Sequence, residues 1–441
     1  MIDRKYLGHL LSPQDWLLRL VFWGGAIAVG VTAVLFVLGA QLAYQCFHWV
    51  LSISPWLAYI VMPAGLALSE WLSRRFFEGS QGSGIPQTIA ALQIADHAQL
   101  GRLLSLRIAA GKIILTLLAL CCGASVGREG PTVQIGASIM YALRGFSRFT
   151  YQDQLAGLIV AGGAAGVAAA FNTPLAGIVF AIEELSRSFE HRTNGLILTA
   201  VIFAGLAANT LLGNYTYFGT ISTSLGSIIG WLAVILCGIT GGLAGGLFSR
   251  LLISASDGWG GILGRWMREY RVAFAATCGI LLAGLGALSG HHTYGTGYDE
   301  VRGILAHGDA GYPAYGLFKF LATLLSYLSG IPGGVFAPSL AIGAGLGASL
   351  SHLIAFVPAS SLIVLGMVGY FSGVTQAPLT TFIIVMEMTD NHGIVVPLMA
   401  TALIANGISR VICPEPLYKA LSERLLRRMD KDQHRLTGQT S

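Results

Sequence analysis

Three glutamates lie in stretches of sequence that are otherwise almost entirely apolar. Glu129 belongs to GREGPTVQIG at residues 127–136, directly after the apolar run IILTLLALCCGASV. Glu183 and Glu184 end the stretch PLAGIVFAIEE at residues 174–184. Keeping an ionised carboxylate away from water is costly, so an acid in such a position indicates a use. A carboxyl group there is able to exchange a proton and, when ionised, to occupy a positively charged site in place of another anion.

Other reactive side chains form weaker patterns. Ser83 lies between two glycines and would suit a hydrolytic nucleophile with any of the ten histidines as its base, but a three-residue match carries little weight. His291 and His292 are adjacent, with no third ligand at a spacing typical of zinc sites. None of the six cysteines forms a CxxC pair, and we interpret them as small buried apolar residues. We therefore predict that the protein is not an enzyme and uses neither a cofactor nor a metal ion.

The composition indicates where these residues are located. Of 441 residues, 54% are hydrophobic and 11% are charged, with a mean hydropathy of +0.68, whereas a soluble domain has about 25% charged residues. No Asp, Glu, Lys or Arg occurs within residues 20–69, 193–249 or 320–386. A membrane-spanning helix needs roughly 20 apolar residues, so each span is long enough for two or three crossings. The chain is predicted to be an all-α polytopic membrane protein in a lipid bilayer, and its small net charge of +5 gives no indication of a nucleic-acid partner.

Basic residues beside the apolar spans predict the orientation. Arg4 and Lys5 precede the first hydrophobic region, and Arg74 and Arg75 follow the second. If each region crosses once, both clusters lie on one side, which the positive-inside rule makes cytoplasmic. The basic tail KALSERLLRRMDKDQHR is typical of the same side. Both termini are therefore predicted to be cytoplasmic.

The sequence repeats itself. GREGPTVQIGA (127–137) aligns with GVFAPSLAIGA (334–344), 207 positions further along, and the same offset pairs Lys112 with Lys319. A second motif, which contains Glu183, recurs 204 positions later in QAPLTTFIIVMEM. Two motifs in the same order at nearly equal spacing predict two homologous halves. The predicted division is a first segment (1–14), a first transmembrane repeat (15–210), a connection (211–224), a second transmembrane repeat (225–413) and a C-terminal segment (414–441).

The repeated Gly-x-x-x-Pro element predicts helices that begin inside the membrane. Proline is tolerated in the first turn of a helix, so Pro131 and Pro338 indicate helix starts, and the preceding glycines permit a tight turn. A helix start has unpaired N–H groups and the positive end of the helix dipole. Two such ends that converge would form an anion site. The alternative, that the glycines serve close helix packing, accounts for many of the 58 glycines.

With these motifs the chain resembles the CLC family of chloride channels and chloride/proton antiporters. It contains three signature stretches of that family in order, GSGIP (82–86), GREGP (127–131) and GVFAP (334–338), followed by a tyrosine in PEPLYKAL (414–421). The resemblance extends from about residue 15 to 425. It implies tilted, broken helices in two halves of inverted topology, and a homodimer with one pore per subunit. The length resembles the short prokaryotic form without CBS domains, which would reside in the inner membrane.

The resemblance also implies a chloride site. Ser83 and Tyr418 would donate their hydroxyl protons to the ion, and Val335 and Phe336 would donate backbone N–H groups. All these donors are neutral, which suits an ion that must bind and also leave. The motif residues that would support the site are Gly82, Gly84, Ile85, Pro86, Gly127, Arg128, Gly130, Pro131, Gly334 and Pro338.

Glu129 matches the external gating glutamate of the family. Its carboxylate would compete with chloride for the positive site, and protonation would release it, so that proton and anion movements are coupled. The alternative is an ion pair between Arg128 and Glu129. Adjacent residues in a helix do not face each other, so we expect Arg128 to snorkel or to pair elsewhere.

Glu184 matches the internal proton-transfer glutamate of the antiporters, where channel members commonly have an apolar residue. The resemblance therefore implies a chloride/proton antiporter, with a passive CLC-type channel as the alternative. The alternative for Glu184 is an acid at the water surface, and Glu183 is expected to be structural. Gln87 replaces an acid found in many relatives, whereas Ser83 and Tyr418 favour chloride over nitrate or fluoride.

Overall fold

The fold is known from a computed structural model, which describes residues 13–145, 152–186, 194–213, 215–225, 228–308, 314–354 and 356–436. These residues form helices joined by short turns. Within the described ranges there is no β-strand, only two isolated bridges that pair Gly82 with Pro332 and Gly127 with Gly334. The predicted all-α class is confirmed. Arg4 and Lys5, on which part of the predicted orientation depends, lie outside the described residues.

The helices are numbered here in chain order. Those up to residue 212 are α1 (Pro13–Ile53), α2 (Ala58–Phe76), α3 (Ile85–Ala91), α4 (His97–Leu103), α5 (Leu106–Cys121), α6 (Glu129–Ala142), α7 (Gln152–Phe171), α8 (Pro174–Phe180) and α9 (Asn194–Leu212). Those that follow are α10 (Trp231–Asp257), α11 (Gly261–Glu269), α12 (Arg271–Leu288), α13 (Tyr298–His307), α14 (Tyr315–Leu328), α15 (Phe336–Ser351), α16 (Ala359–Thr375), α17 (Pro378–Thr389), α18 (Val395–Ile412) and α19 (Leu417–Leu436).

Six helical stretches in the described residues are long and apolar enough to cross a membrane. They are Arg19–Ile53, His97–Cys121, Gly195–Leu212, Trp231–Asp257, Arg271–Leu288 and Val395–Ile412. Several other apolar helices are shorter than the roughly 20 residues that a crossing requires. Among them are α8, with 7 residues, and α15, with 16 residues. The chain is thus an integral membrane protein that combines long helices with short ones, of which α15 is largely buried.

Glycines bring the short helices into close contact with their neighbours. A Cβ atom on Gly136 of α6 would lie 2.2 Å from the carbonyl oxygen of Gly162 on α7. In the second half, a Cβ on Gly343 of α15 would lie 2.5 Å from the carbonyl oxygen of Gly366 on α16. No larger residue fits either crossing, so the packing alternative is correct for these glycines. The two crossings are also counterparts in the predicted repeat.

Two buried lysines make equivalent contacts. Lys112 Nζ donates to three consecutive carbonyl groups, those of residues 80, 81 and 82, at 2.6, 3.4 and 2.8 Å. Lys319, its predicted counterpart, donates to the carbonyls of residues 293, 294 and 295 at 2.9, 3.3 and 2.9 Å. Each lysine therefore fixes one loop ahead of a short helix. These contacts support the repeat, while the inverted orientation of the halves and their boundaries stay predictions.

The two loops share a sequence motif that the alignment at offset 207 does not contain. Gly82-Ser83-Gly84 precedes α3, and Gly295-Thr296-Gly297 precedes α13. The flanking glycines have positive φ angles of 65° and 102° in the first loop and of 64° and 84° in the second. The signature loop around Ser83 thus has a counterpart of the same backbone shape in the second half.

Candidate functional site

The starts of α6 and α15 meet at the centre of the molecule. Gly127 and Gly334 exchange two backbone hydrogen bonds, of 2.6 and 2.7 Å. Pro131 and Pro338 each occupy the third position of the helix that follows, where a missing N–H removes no helical hydrogen bond. The two predicted helix starts therefore exist, and two main-chain hydrogen bonds join the segments that lead into them.

Ser83 is held against the start of α6. It is buried, and the αL conformation of Gly84 ends its loop at the first turn of α3, which contains Ile85 and Pro86. A Cβ on Gly130 would lie 2.3 Å from Ser83 Oγ. A glycine is thus required at residue 130 for the Ser83 hydroxyl to occupy its place.

Tyr418 lies beside Ser83. It is the second residue of α19 and is buried, and the two hydroxyl groups are close enough to interact. Neither hydroxyl makes a hydrogen bond of ordinary geometry with a protein group. Buried hydroxyls are normally paired, so two adjacent ones without good partners indicate a place for a ligand.

Val335 and Phe336 provide the third side of the site. Val335 is the N-cap of α15 and Phe336 is its first residue, so their N–H groups are among those that have no acceptor within the helix. The Phe336 ring lies against Phe171 and Phe371, with ring centroids 4.8 and 4.2 Å apart. This aromatic packing fixes the first turn of the helix and thereby the direction of its N–H groups.

A small cavity links this region to Glu184. It has room for about one water molecule. The residues that line it are Phe180, Glu184, Phe336, Phe371, Thr375, Ala377, Thr380 and Tyr418. Glu184 and Tyr418 thus share one enclosed space, although they are far apart in the sequence.

Glu184 is buried, with 2% of its surface exposed. The alternative of an acid at the water surface is therefore wrong. Residues 181–186 form a single π-helical turn, and such turns are frequent at functional sites. The adjacent Glu183 does not line the cavity and instead bonds to the start of α17. The expected structural role of Glu183 is consistent with this contact.

Glu129 is the first residue of α6 and is buried. Its carboxylate lies close to the backbone N–H of Ala337, in the first turn of α15, although its Oε2 makes no hydrogen bond of ordinary geometry. Its Oε1 atom lies 3.5 Å from the hydroxyl of Tyr217. The acid of the first half therefore reaches the helix start of the second half.

Arg128 is buried as well. Its Nη1 donates to the carbonyl of Val37 at 3.2 Å, and its Nε lies 3.8 Å from Glu129 Oε1. The expectation that Arg128 pairs elsewhere is thus wrong in part. The rule that neighbours face apart holds inside a helix, whereas Arg128 is the N-cap and precedes the first turn. A gate and an ion-pair partner are both compatible with this position of Glu129.

Sequence reasoning missed two contributors. Lys112 is recognisable from its match with Lys319, but the match gave no indication that its ammonium group fixes the Ser83 loop. Tyr217 lies between α9 and α10, in the predicted connection and in no motif or periodic pattern, so no signal in the sequence indicated its contact with Glu129. The neutral Gln87 bonds back to its own loop, where its Oε1 accepts from Gly84 N at 3.0 Å.

The fold is that of a membrane transport protein. The profile described as voltage gated chloride channel matches residues 64–410. The H(+)/Cl(-) exchange transporter ClcA of Citrobacter koseri is 31% identical over 397 residues, which cover 86% of this chain and 80% of that protein. ClcA of Salmonella arizonae is 30% identical over the same length and shares of coverage.

Solved structures of other proteins have a similar fold. A slow cyanobacterial Cl-/H+ antiporter superposes with a TM-score of 0.77 at 26% identity, covering 93% of this chain and 99% of that one. A CLC-type fluoride/proton antiporter, at 23% identity, shares the fold with a TM-score of 0.77 over 92% of this chain and 99% of that one. This chain belongs to the CLC family of voltage-gated chloride channels and transporters. Family membership decides against the hydrolase interpretation of Ser83.

Proposed function

We propose that this protein exchanges chloride for protons across the membrane. The observation that carries the proposal is the position of Glu129, whose carboxylate interacts with the Ala337 N–H. This N–H belongs to the same helix start as those of Val335 and Phe336. An ionised carboxylate and a chloride ion therefore compete for one set of donors. Protonation removes the charge of Glu129 and favours the anion.

The proposed chloride site uses neutral donors. Ser83 and Tyr418 contribute hydroxyl groups that have no good protein partner, and Val335 and Phe336 contribute backbone N–H groups. Neutral donors bind an anion without the strong attraction of a lysine or arginine in direct contact, so the ion is able to leave.

Glu184 is proposed to pass protons between the inner solution and Glu129. A buried acid is costly to retain, and this one lines the same cavity as Tyr418. The relatives support this role, since the ClcA proteins are named exchange transporters and the cyanobacterial structure is that of an antiporter. A passive channel of the same family is the alternative.

The test is transport by purified protein in liposomes, with chloride efflux and proton uptake recorded together. The native protein is expected to take up protons against their gradient when chloride flows out. Glu184→Val should still pass chloride while proton movement falls to background. Glu183→Gln, a change in the neighbouring acid outside the cavity, is the matched control and should remain coupled. Chloride flux without proton movement in the native protein would establish the channel alternative.

The gate has its own test. Glu129→Ala should pass chloride at a rate that no longer depends on pH and should lose proton coupling. Unchanged coupling and unchanged pH dependence in this variant would refute the assignment.

Assembly and placement are part of the same proposal. We expect a homodimer with one pore per subunit, in the inner membrane of a bacterium, with both termini cytoplasmic. The mass of the protein in detergent, corrected for bound detergent, tests the dimer. Labelling of single cysteines introduced at each terminus of the chain in intact cells tests the orientation.

A further inference from the structure

The predicted connection between the halves contributes one residue, Tyr217, that contacts Glu129. Residues 215–225 follow α9, and two backbone hydrogen bonds attach them to the end of α17. Phe218 N donates to the carbonyl of Met388 at 2.8 Å, and Ile221 N donates to that of Thr389 at 2.9 Å. These hydrogen bonds hold the residues directly after Tyr217 against the end of α17.

Tyr217 is confined by other rings. It is buried, and its ring centroid lies 5.5 Å from that of Phe171, 4.8 Å from that of Phe218 and 4.9 Å from that of Tyr298. The interplanar angles of 70°, 87° and 80° are those of edge-to-face contacts, which favour a single ring orientation. Little freedom remains for the hydroxyl, which points at Glu129 Oε1 from 3.5 Å.

The other polar groups around this carboxylate come from several elements. Arg128 Nε lies 3.8 Å from Oε1, and the Ala337 N–H comes from α15. The hydroxyl of Tyr217 also interacts with Arg128, as does that of Tyr215. Tyr298 interacts with Tyr217, and Tyr418 lies within electrostatic range of Glu129. Of the side chains that touch the carboxylate, Tyr217 is the one that comes from the connection.

We propose that Tyr217 is a positioning residue that holds the ionised Glu129 carboxylate at the start of α15 and so sets how readily chloride displaces it. The inference rests on the proposed function, in which Glu129 and chloride compete. Arg128 and Ala337 stabilise the carboxylate in the same place. Tyr217 adds a donor that belongs to neither helix start.

The hydroxyl therefore slows the release of the gate. A hydrogen bond to a charged group is worth roughly a tenfold factor, and one of this length less. Tyr217→Phe retains the ring and its packing but removes the donor. Chloride turnover at neutral pH should rise about three- to tenfold. Because a donor favours the ionised form of an acid, its loss should also move the pH of half-maximal transport upward.

The experiment compares transport rate and pH profile in liposomes for the native protein, Tyr217→Phe and Tyr298→Phe. The control removes a hydroxyl from the same aromatic cluster that faces Arg302, at 3.5 Å, rather than Glu129. Only Tyr217→Phe should change the rate or the pH profile. A thermal unfolding curve for each variant shows that both are folded.

The Glu129→Ala background separates a gate effect from a wider pore. If Tyr217 acts through the carboxylate, adding Tyr217→Phe to Glu129→Ala changes nothing further. An equal increase in both backgrounds would overturn the proposal, as would a Tyr217→Phe variant with native rate and native pH profile. If Glu129→Ala retains coupling and pH dependence, the proposed gate itself fails. If Glu129→Ala behaves as expected and Tyr217→Phe has no effect, only the role of Tyr217 fails.

Discussion

Glu183 and Glu387 each bind the start of a helix in the opposite half. Glu183 accepts hydrogen bonds from the backbone N–H groups of Leu379 and Thr380, at 3.1 and 2.6 Å, at the start of α17. Glu387 accepts the equivalent pair from the second and third residues of α8, at 3.2 and 2.7 Å. Negative charge at a helix N-terminus is stabilising. The two acids that the repeat pairs thus join the halves reciprocally.

We predict that Glu387→Ala lowers the stability of the protein without abolishing its proton coupling. The change leaves two N–H groups of α8 without acceptors, at a cost of about 1–3 kcal/mol. Thermal unfolding in detergent, followed by tryptophan fluorescence, measures the loss. Glu423→Ala is the control, because its ion pairs with Lys419 and Arg427 are long, at 3.8 and 3.9 Å, and lie on the surface. Equal unfolding temperatures for the two variants would contradict the prediction.

Gly130→Ala is predicted to remove chloride binding at the central site. The new Cβ would lie 2.3 Å from Ser83 Oγ and 3.0 Å from the Ser83 carbonyl oxygen, so Ser83 must shift. Chloride affinity, measured by isothermal titration calorimetry, should fall at least about tenfold, which corresponds to ~1.4 kcal/mol. Gly101→Ala has no neighbour within 4 Å of its Cβ and should bind chloride normally. Retained affinity in Gly130→Ala would show that Ser83 is not a ligand.

The matched lysines offer a comparison between the halves. Lys112→Met and Lys319→Met each leave three buried or part-buried carbonyl groups without their donor. Both should therefore lower stability, by about 1–3 kcal/mol. Only Lys112 fixes the loop that contains Ser83. Chloride affinity should therefore fall about tenfold in Lys112→Met and stay within about twofold of native in Lys319→Met. Calorimetric titration of both variants is the measurement, and equal losses of affinity would argue against the Ser83 site.

The last helix offers a test of Tyr418. Arg424 of α19 bonds to both carboxylate oxygens of Asp257, at 2.6 and 2.9 Å, and to Glu415 at 2.9 Å. Paired contacts of this kind fix orientation as well as adding energy. Arg424→Met should loosen α19, and we expect chloride affinity to fall about threefold, or ~0.7 kcal/mol.

The control for that prediction is Arg427→Met. The Arg427 side chain is 72% exposed and its ion pair with Glu423 is 3.9 Å long, so its loss should leave chloride affinity unchanged. If calorimetry gives Arg424→Met the affinity of this control, the docking of α19 does not position Tyr418.

Much of the site follows from short-range sequence signals. The glycines and prolines around residues 127–131 and 334–338 determine local backbone shape, so they predicted the helix starts correctly. Contacts between distant segments could not be predicted from the sequence, because they depend on tertiary packing. Tyr217 contacts Glu129 because the residues that follow it are hydrogen-bonded to the end of α17. The contact between Arg128 and Glu129 depends on where α6 begins, and helix periodicity does not determine that residue.

The hydrogen bonds between Gly127 and Gly334 have a further consequence. Each glycine donates one backbone hydrogen bond to the other and accepts one from it, as in an isologous interface between identical subunits. A single polypeptide here contains both partners of such an interface. Perfect symmetry would give the two sides of the site the same chemistry. The residue 207 positions after Glu129 is Phe336. The start of α6 therefore carries a titratable carboxyl group, whereas the equivalent position at the start of α15 carries a phenyl ring. This broken symmetry gives the two faces of the site different chemistry.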